Sequence, residues 1–243
     1  MLSRFFWICY DNLGGLFLIN LIWSLLNVPY LILAYGLWQI GFNFGGVYLW
    51  AGVLLAVDLV FHSPTTLIIY SSASNWVRGH ENKLSTSFAV LKKYFLRAQL
   101  LQFVSLLIKL ILLMNVSFYS QMSDWIGLLL TGLMMWALFI FLIFSFQIYP
   151  LLVTQETTVI KTIKFALMLS ISHPIQTIWN FFVFVLYALL GIISGVGLFM
   201  GIYATYVLWA TYRSKNILSV YTGESPEPVP SRSFRELIRP WEN

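Results

Sequence analysis

The sequence predicts an all-α fold, a polytopic transmembrane helical bundle of about six spans with one amphipathic interfacial helix. Three observations carry that prediction. Of the 243 residues, 59% are hydrophobic and only 9% are charged, whereas a soluble domain spends about 25% of its residues on Asp, Glu, Lys and Arg. The apolar residues gather into stretches of about 20, the length a helix needs to cross a hydrocarbon layer about 30 Å thick. The cations, finally, fall into alternate connections between those stretches.

Along the chain, MLSRFFWICY sets Arg4 among Phe5, Phe6, Trp7 and Tyr10, a mixture suited to the head-group layer. Span 1 is expected at residues 13–37, with Pro29 kinking or breaking it. No small-residue cleavage site follows it, so it is read as a retained helix rather than an export signal. Gly41, Asn43, Gly45 and Gly46 read as a polar turn, and span 2 follows at 47–61. Pro64 breaks that span, because it removes a donor and restricts the residue before it. Residues 65–76 then either continue span 2 beyond a kink or form an interfacial helix. The stretch 78–97 is a loop or surface helix, span 3 covers 98–118, and span 4 covers 125–149 with Pro150 as its stop.

Residues 151–172 carry Val159, Ile160, Ile163, Leu167 and Ile171 at helical spacing, with Thr158, Lys161 and Lys164 interleaved. That pattern, preceded by Thr154 and Glu156 as a helix start, predicts the interfacial helix. From Pro174 to Tyr212 there is no charge, so the stretch is divided near Gly191–Gly195 into span 5 (175–192) and span 6 (195–212). Ser172 is the expected N-cap and Pro174 a first-turn residue. Residues 1–221 thus read as a single helical membrane domain. Residues 222–243 read as a flexible cytoplasmic tail with a short helix near 234–238.

The connections 1–2, 3–4 and 5–6 hold no Lys or Arg, so that 13 of the 14 cations fall on one side. Positive charge in short loops marks the cytoplasmic face, which predicts both termini inside a bacterial cytoplasmic membrane. The net charge of +5 reports topology and anionic lipid, and nucleic acid is not an expected partner. Cys9 is the only cysteine and reads as a small apolar residue.

Lys109 is the remaining cation, deep in span 3, with Gln102 and Ser105 on the same helical face. A lone ammonium there costs at least about 2.5–3.5 kcal/mol. Gln102, Ser105 and Lys109 therefore form a candidate polar path; alternatively Lys109 snorkels to a head-group layer or pairs within the bundle. Asp58 is the other charge within a span, with Arg78, Lys92 or Lys93 as its cheaper partners and Lys109 as a deeper one. Asn115 and Asn180 are expected to hydrogen-bond between helices. Gly191 with Gly195, and Gly197 with Gly201, suit close helix contact within the chain or in a homo-oligomer. Three scattered histidines, no paired cysteine and no glycine-rich phosphate loop give no sign of catalysis, metal or cofactor, and the chain is not read as an enzyme.

Three stretches together resemble the bacterial YesL-like membrane-protein family. They are Ser63-Pro64-Thr65-Thr66 leading into Trp76-Val77-Arg78-Gly79-His80-Glu81; Phe88 with Lys93-Tyr94-Phe95; and Tyr149-Pro150-Leu151-Leu152 with Lys164-Phe165-Ala166-Leu167 and His173-Pro174. The resemblance covers residues 13–221. It implies an accessory membrane protein encoded beside carbohydrate-uptake transporters, and it assigns no catalytic residue. The expectation is a non-enzymatic accessory or regulatory component whose partners are membrane lipid and transporter subunits. The alternative is a small transporter or channel using the polar path.

Overall fold

A computed structural model describes residues 2–44, 46–80, 83–155, 158–193 and 201–222. It is an all-α bundle with no strand among those residues: α1 (Leu2–Asp11), α2 (Leu13–Leu26), α3 (Val28–Phe44), α4 (Gly46–Phe61), a 3-10 turn (Pro64–Thr66), α5 (Leu67–Val77), α6 (Leu84–Tyr119), α7 (Trp125–Ser145), α8 (Ile148–Gln155), α9 (Val159–Ser172), α10 (Pro174–Ile193) and α11 (Ile202–Thr222). The sequence 195–200 and the tail beyond Thr222, with the expected helix near 234–238, lie outside the described residues. So do Gly195 and Gly197 of the small-residue pairs.

Four helical stretches are long and apolar enough to cross a membrane: Tyr48–Val77, Leu84–Tyr119, Trp125–Thr154 and Pro174–Gly191. A fifth is formed if Ser3–Asp11 and Leu13–Leu26, bent by 72° at Asn12, count as one broken span. The difference from six has two sources. The residues expected as span 1 are divided at Asn27 into α2 and α3, and the first six residues of the expected span 6, 195–200, lie outside the described residues, which hold only its continuation in α11.

Several boundaries move for identifiable reasons. Gly41 and Asn43 are helical rather than part of a turn, and Gly46, at φ 54°, reverses the chain. Gly41 instead lies against α4, where an added Cβ would meet the Tyr48 carbonyl at 2.6 Å; Gly52 faces it, with the Leu37 carbonyl 2.7 Å from its would-be Cβ. The hairpin of α3 and α4 is therefore built on two glycines that let its backbones touch. Residues 65–76 continue span 2 as the 3-10 turn and α5. The basic stretch beyond Lys83 is no separate surface helix but the start of α6, whose 36 residues reach about 54 Å. Pro150 does not stop span 4, because it occupies the first turn of α8, where a proline has no helix bond to lose. His173, not Ser172, separates α9 from α10, and Pro174 opens α10.

The centre of the bundle is one uninterrupted run: every residue from 58 to 74 is buried. Around it pack α2, α6, α8 and α11. The outside is apolar, with Trp50, Leu96, Trp125, Leu128 and Ile175 among the most exposed side chains. In α9 the buried residues are Thr162, Ala166 and Leu169, whereas Ile160, Leu167 and Ile171 of its expected packing stripe are exposed. The outward face of α9 thus carries large apolar residues, as suits lipid rather than water, while its inward face includes the small residues Thr162 and Ala166.

Candidate functional site

The run from 58 to 74 contains the break that Pro64 imposes, and the break frees carbonyls that a continuous helix would have used. His62 N–H still reaches the Asp58 carbonyl at 2.9 Å. The next four carbonyls are each taken by a side chain. Gln102 Nε2 of α6 donates to Leu59 O at 3.0 Å, and Asn27 Nδ2, from the break between α2 and α3, donates to Val60 O at 2.9 Å. Tyr203 Oη of α11 donates to Phe61 O at 2.5 Å, joined by Thr66 Oγ1 at 3.2 Å. Tyr149 Oη of α8 donates to His62 O. Four regions distant in sequence therefore converge on consecutive peptide units, since hydrocarbon would leave any unmet carbonyl at a cost of several kcal/mol.

Neighbouring polar groups close the network. Thr65 Oγ1 donates to Asn27 Oδ1 at 3.3 Å, Ser63 and Thr65 hydroxyls share a bond of 2.6 Å, and Trp23 Nε1 donates to Thr66 Oγ1 at 3.2 Å. Asn20 Oδ1 accepts from the Ala204 N–H at 3.0 Å and so caps the start of α11 from α2. Aromatic rings fill the space between: Trp23 lies 4.5 Å from Tyr203, and Phe61 lies 4.9 Å from Tyr203 and 5.2 Å from Phe184.

One turn before the break, Asp58 forms an ion pair with Lys109 of α6. The same oxygen, Oδ1, lies 2.8 Å from His62 Nδ1, close in distance but not aligned as a hydrogen bond. The three side chains are almost wholly enclosed, at 3% exposure for Asp58, 1% for Lys109 and 9% for His62. Phe141 lies under the ammonium at 5.6 Å, and the His62 ring sits 4.9 Å from Phe146 and 5.9 Å from Tyr149. Among the described residues no group of three or more His, Cys, Asp and Glu could hold a metal ion.

Gln102, Ser105 and Lys109 do share one face, and all three are buried inside the bundle. Asp58 does not pair with Arg78, Lys92 or Lys93 as the cheaper expectation had it. The Pro64 break lies within a 30-residue membrane-length helix rather than at its end, so Asp58 meets Lys109 at a common depth. Asn115 folds back to its own helix, donating to Ile111 O at 2.8 Å, because it is only half-buried near the end of α6. Asn180 is buried between helices, with no hydrogen-bond partner for its Oδ1 among the described residues. Asn20, Asn27, Tyr149 and Tyr203 were missed; a polar residue within an apolar span was the available signal for the two asparagines.

No known protein family, curated protein or solved structure matches the chain.

Proposed function

We propose that the protein is a non-enzymatic accessory or regulatory component of a carbohydrate-uptake system, seated in a bacterial cytoplasmic membrane with both termini inside. The observation that carries this reading is the internal pairing along the polar stripe: the Lys109 ammonium is spent on Asp58, and the Gln102 amide nitrogen on the Leu59 carbonyl. Groups held this way bind helices together rather than wait for a solute. The carbohydrate context rests on the YesL-like junction residues, and the orientation rests on 13 of 14 cations falling on one side. Purification from native membranes in mild detergent tests the reading. Transporter subunits are expected in the same complex, and recovery of the chain alone counts against it.

A second reading, a small transporter or channel, is favoured by the broken helix with ionisable groups beside it, an arrangement that transporters use to build midplane sites. Here Lys109 and Gln102 would exchange internal partners for solute. Solute flux in proteoliposomes should then vanish in Lys109→Leu at equal amounts of folded protein; unchanged flux removes this reading.

A further inference from the structure

We propose that Asp58 and His62, held against Lys109 at the helix break, form an intramembrane proton-binding site with His62 as the acceptor. A membrane interior tolerates ionisable groups where they are paired or have work to do, and pairing accounts for only two of these three. Asp58 and Lys109 cancel each other, yet His62 has been brought to the shared oxygen at 2.8 Å. Two atoms of this cluster are buried without a hydrogen-bond partner: Asp58 Oδ2 and His62 Nδ1. Unmet polar atoms in a closed apolar setting are costly. One added proton gives the ring an N–H on both nitrogens and a positive charge 2.8 Å from the carboxylate, so that a rotation of the ring makes Nδ1 a charge-assisted donor to Asp58.

Access is graded in the same sense. His62 retains 9% side-chain exposure, against 3% for Asp58 and 1% for Lys109, so the imidazole is the least enclosed of the three groups. The charged groups facing it are Asp58 on its own helix and Lys109 on α6. The phenol ring of Tyr149 on α8 lies 5.9 Å from the imidazole, with Tyr70 on α5 stacked on Tyr149 and Tyr203 on α11 at the neighbouring Phe61 carbonyl. Of these side-chain types only an imidazole takes up a proton near neutral pH. Uptake takes the cluster from neutral to one positive charge and makes the imidazolium compete with Lys109 for Oδ1. The hold between α4 and α6 is thereby weakened on protonation, at the point where four helices converge.

The test is nitrogen NMR of the full chain, labelled with ¹⁵N-histidine, in lipid nanodiscs over about pH 4.5–8. Three histidines are present, and His62→Gln assigns the signal. The His62 ring is expected to pass from imidazole to imidazolium. Asp58→Asn should move its midpoint down by about one pH unit or more, and Lys109→Met should move it up, since the two neighbours act with opposite sign. A His62 signal fixed in one protonation form across the range overturns the site, as does a midpoint moved in the same direction by both variants. If Asp58→Asn does not fold, the upward shift in Lys109→Met decides alone. The site goes beyond the accessory role and does not depend on it: a chain purified without partners would sink that role and leave the titration unchanged.

Discussion

Lys109 and Asp58 are each too costly to bury alone, and each is buried because of the other. Removing one partner of such a pair strands a charge and costs about 3–5 kcal/mol, whereas replacing both by apolar groups is often neutral. Lys109→Met should therefore lower the melting temperature strongly in a detergent thermal-shift assay, and Asp58→Leu combined with Lys109→Met should recover most of the loss. Equal destabilisation by single and double variants would refute the coupling. The carbonyls of the break allow a finer comparison. His62 O accepts from Tyr149, while Phe61 O accepts from both Tyr203 and Thr66. Tyr149→Phe should cost about 1–3 kcal/mol, the penalty for an unsatisfied buried group. Tyr203→Phe should cost less in the same assay, because the threonine remains. At this scale Lys109 was legible in the sequence, being the one cation outside the loops. Its partner was not, because Pro64 read as the end of a span and so set Asp58 at the membrane boundary.

Among the elements, prolines and glycines decide the geometry, and they were visible without their meanings. Pro29 and Pro64 both lie beside breaks, and the breaks face each other: Asn27 at the first donates to Val60 at the second. A proline marks where a helix loses its ladder but is silent on whether the chain then leaves the membrane or goes on. The hairpin of α3 and α4 offers a sharper test. Gly41→Ala would drive a methyl group to 2.6 Å from the Tyr48 carbonyl, whereas the same change at Gly36 meets nothing within 4 Å. Gly41→Ala should destabilise by about 1–3 kcal/mol as an overpacked contact, and Gly36→Ala should leave the melting temperature unchanged or slightly raised. A similar response from both would show that the glycine contact does not hold the hairpin.

Among the described residues the outside is apolar, and the interior sets a polar network within an apolar core. Asn20, Asn27, Asp58, Thr66, Gln102 and Lys109 are buried, while leucines, tryptophans and phenylalanines are exposed. The cationic ends cluster likewise: Lys215 of α11 donates to the carbonyl of Val77 at 3.4 Å, beside Arg78. The proposed inside orientation of that end predicts a labelling pattern. In a Cys9→Ser background, an impermeant maleimide added to intact cells should label Gln121→Cys, and should label Lys164→Cys only after the cells are opened; the reverse pattern would overturn the orientation.

What the sequence determined by itself was the solvent and the secondary structure. Composition and the length of the apolar stretches depend on the local chain alone, and they require helices that suit hydrocarbon. It also singled out Lys109, because a charge in an apolar run is conspicuous without any knowledge of its neighbours. Only the tertiary structure decided that the Pro64 break lies inside the bundle, that Asn27, Gln102, Tyr149 and Tyr203 meet its carbonyls, and that Asp58, His62 and Lys109 share one buried point. Those contacts join residues far apart in sequence, and the satisfaction of a buried polar group depends on which helix stands opposite it, a quantity that no local pattern contains.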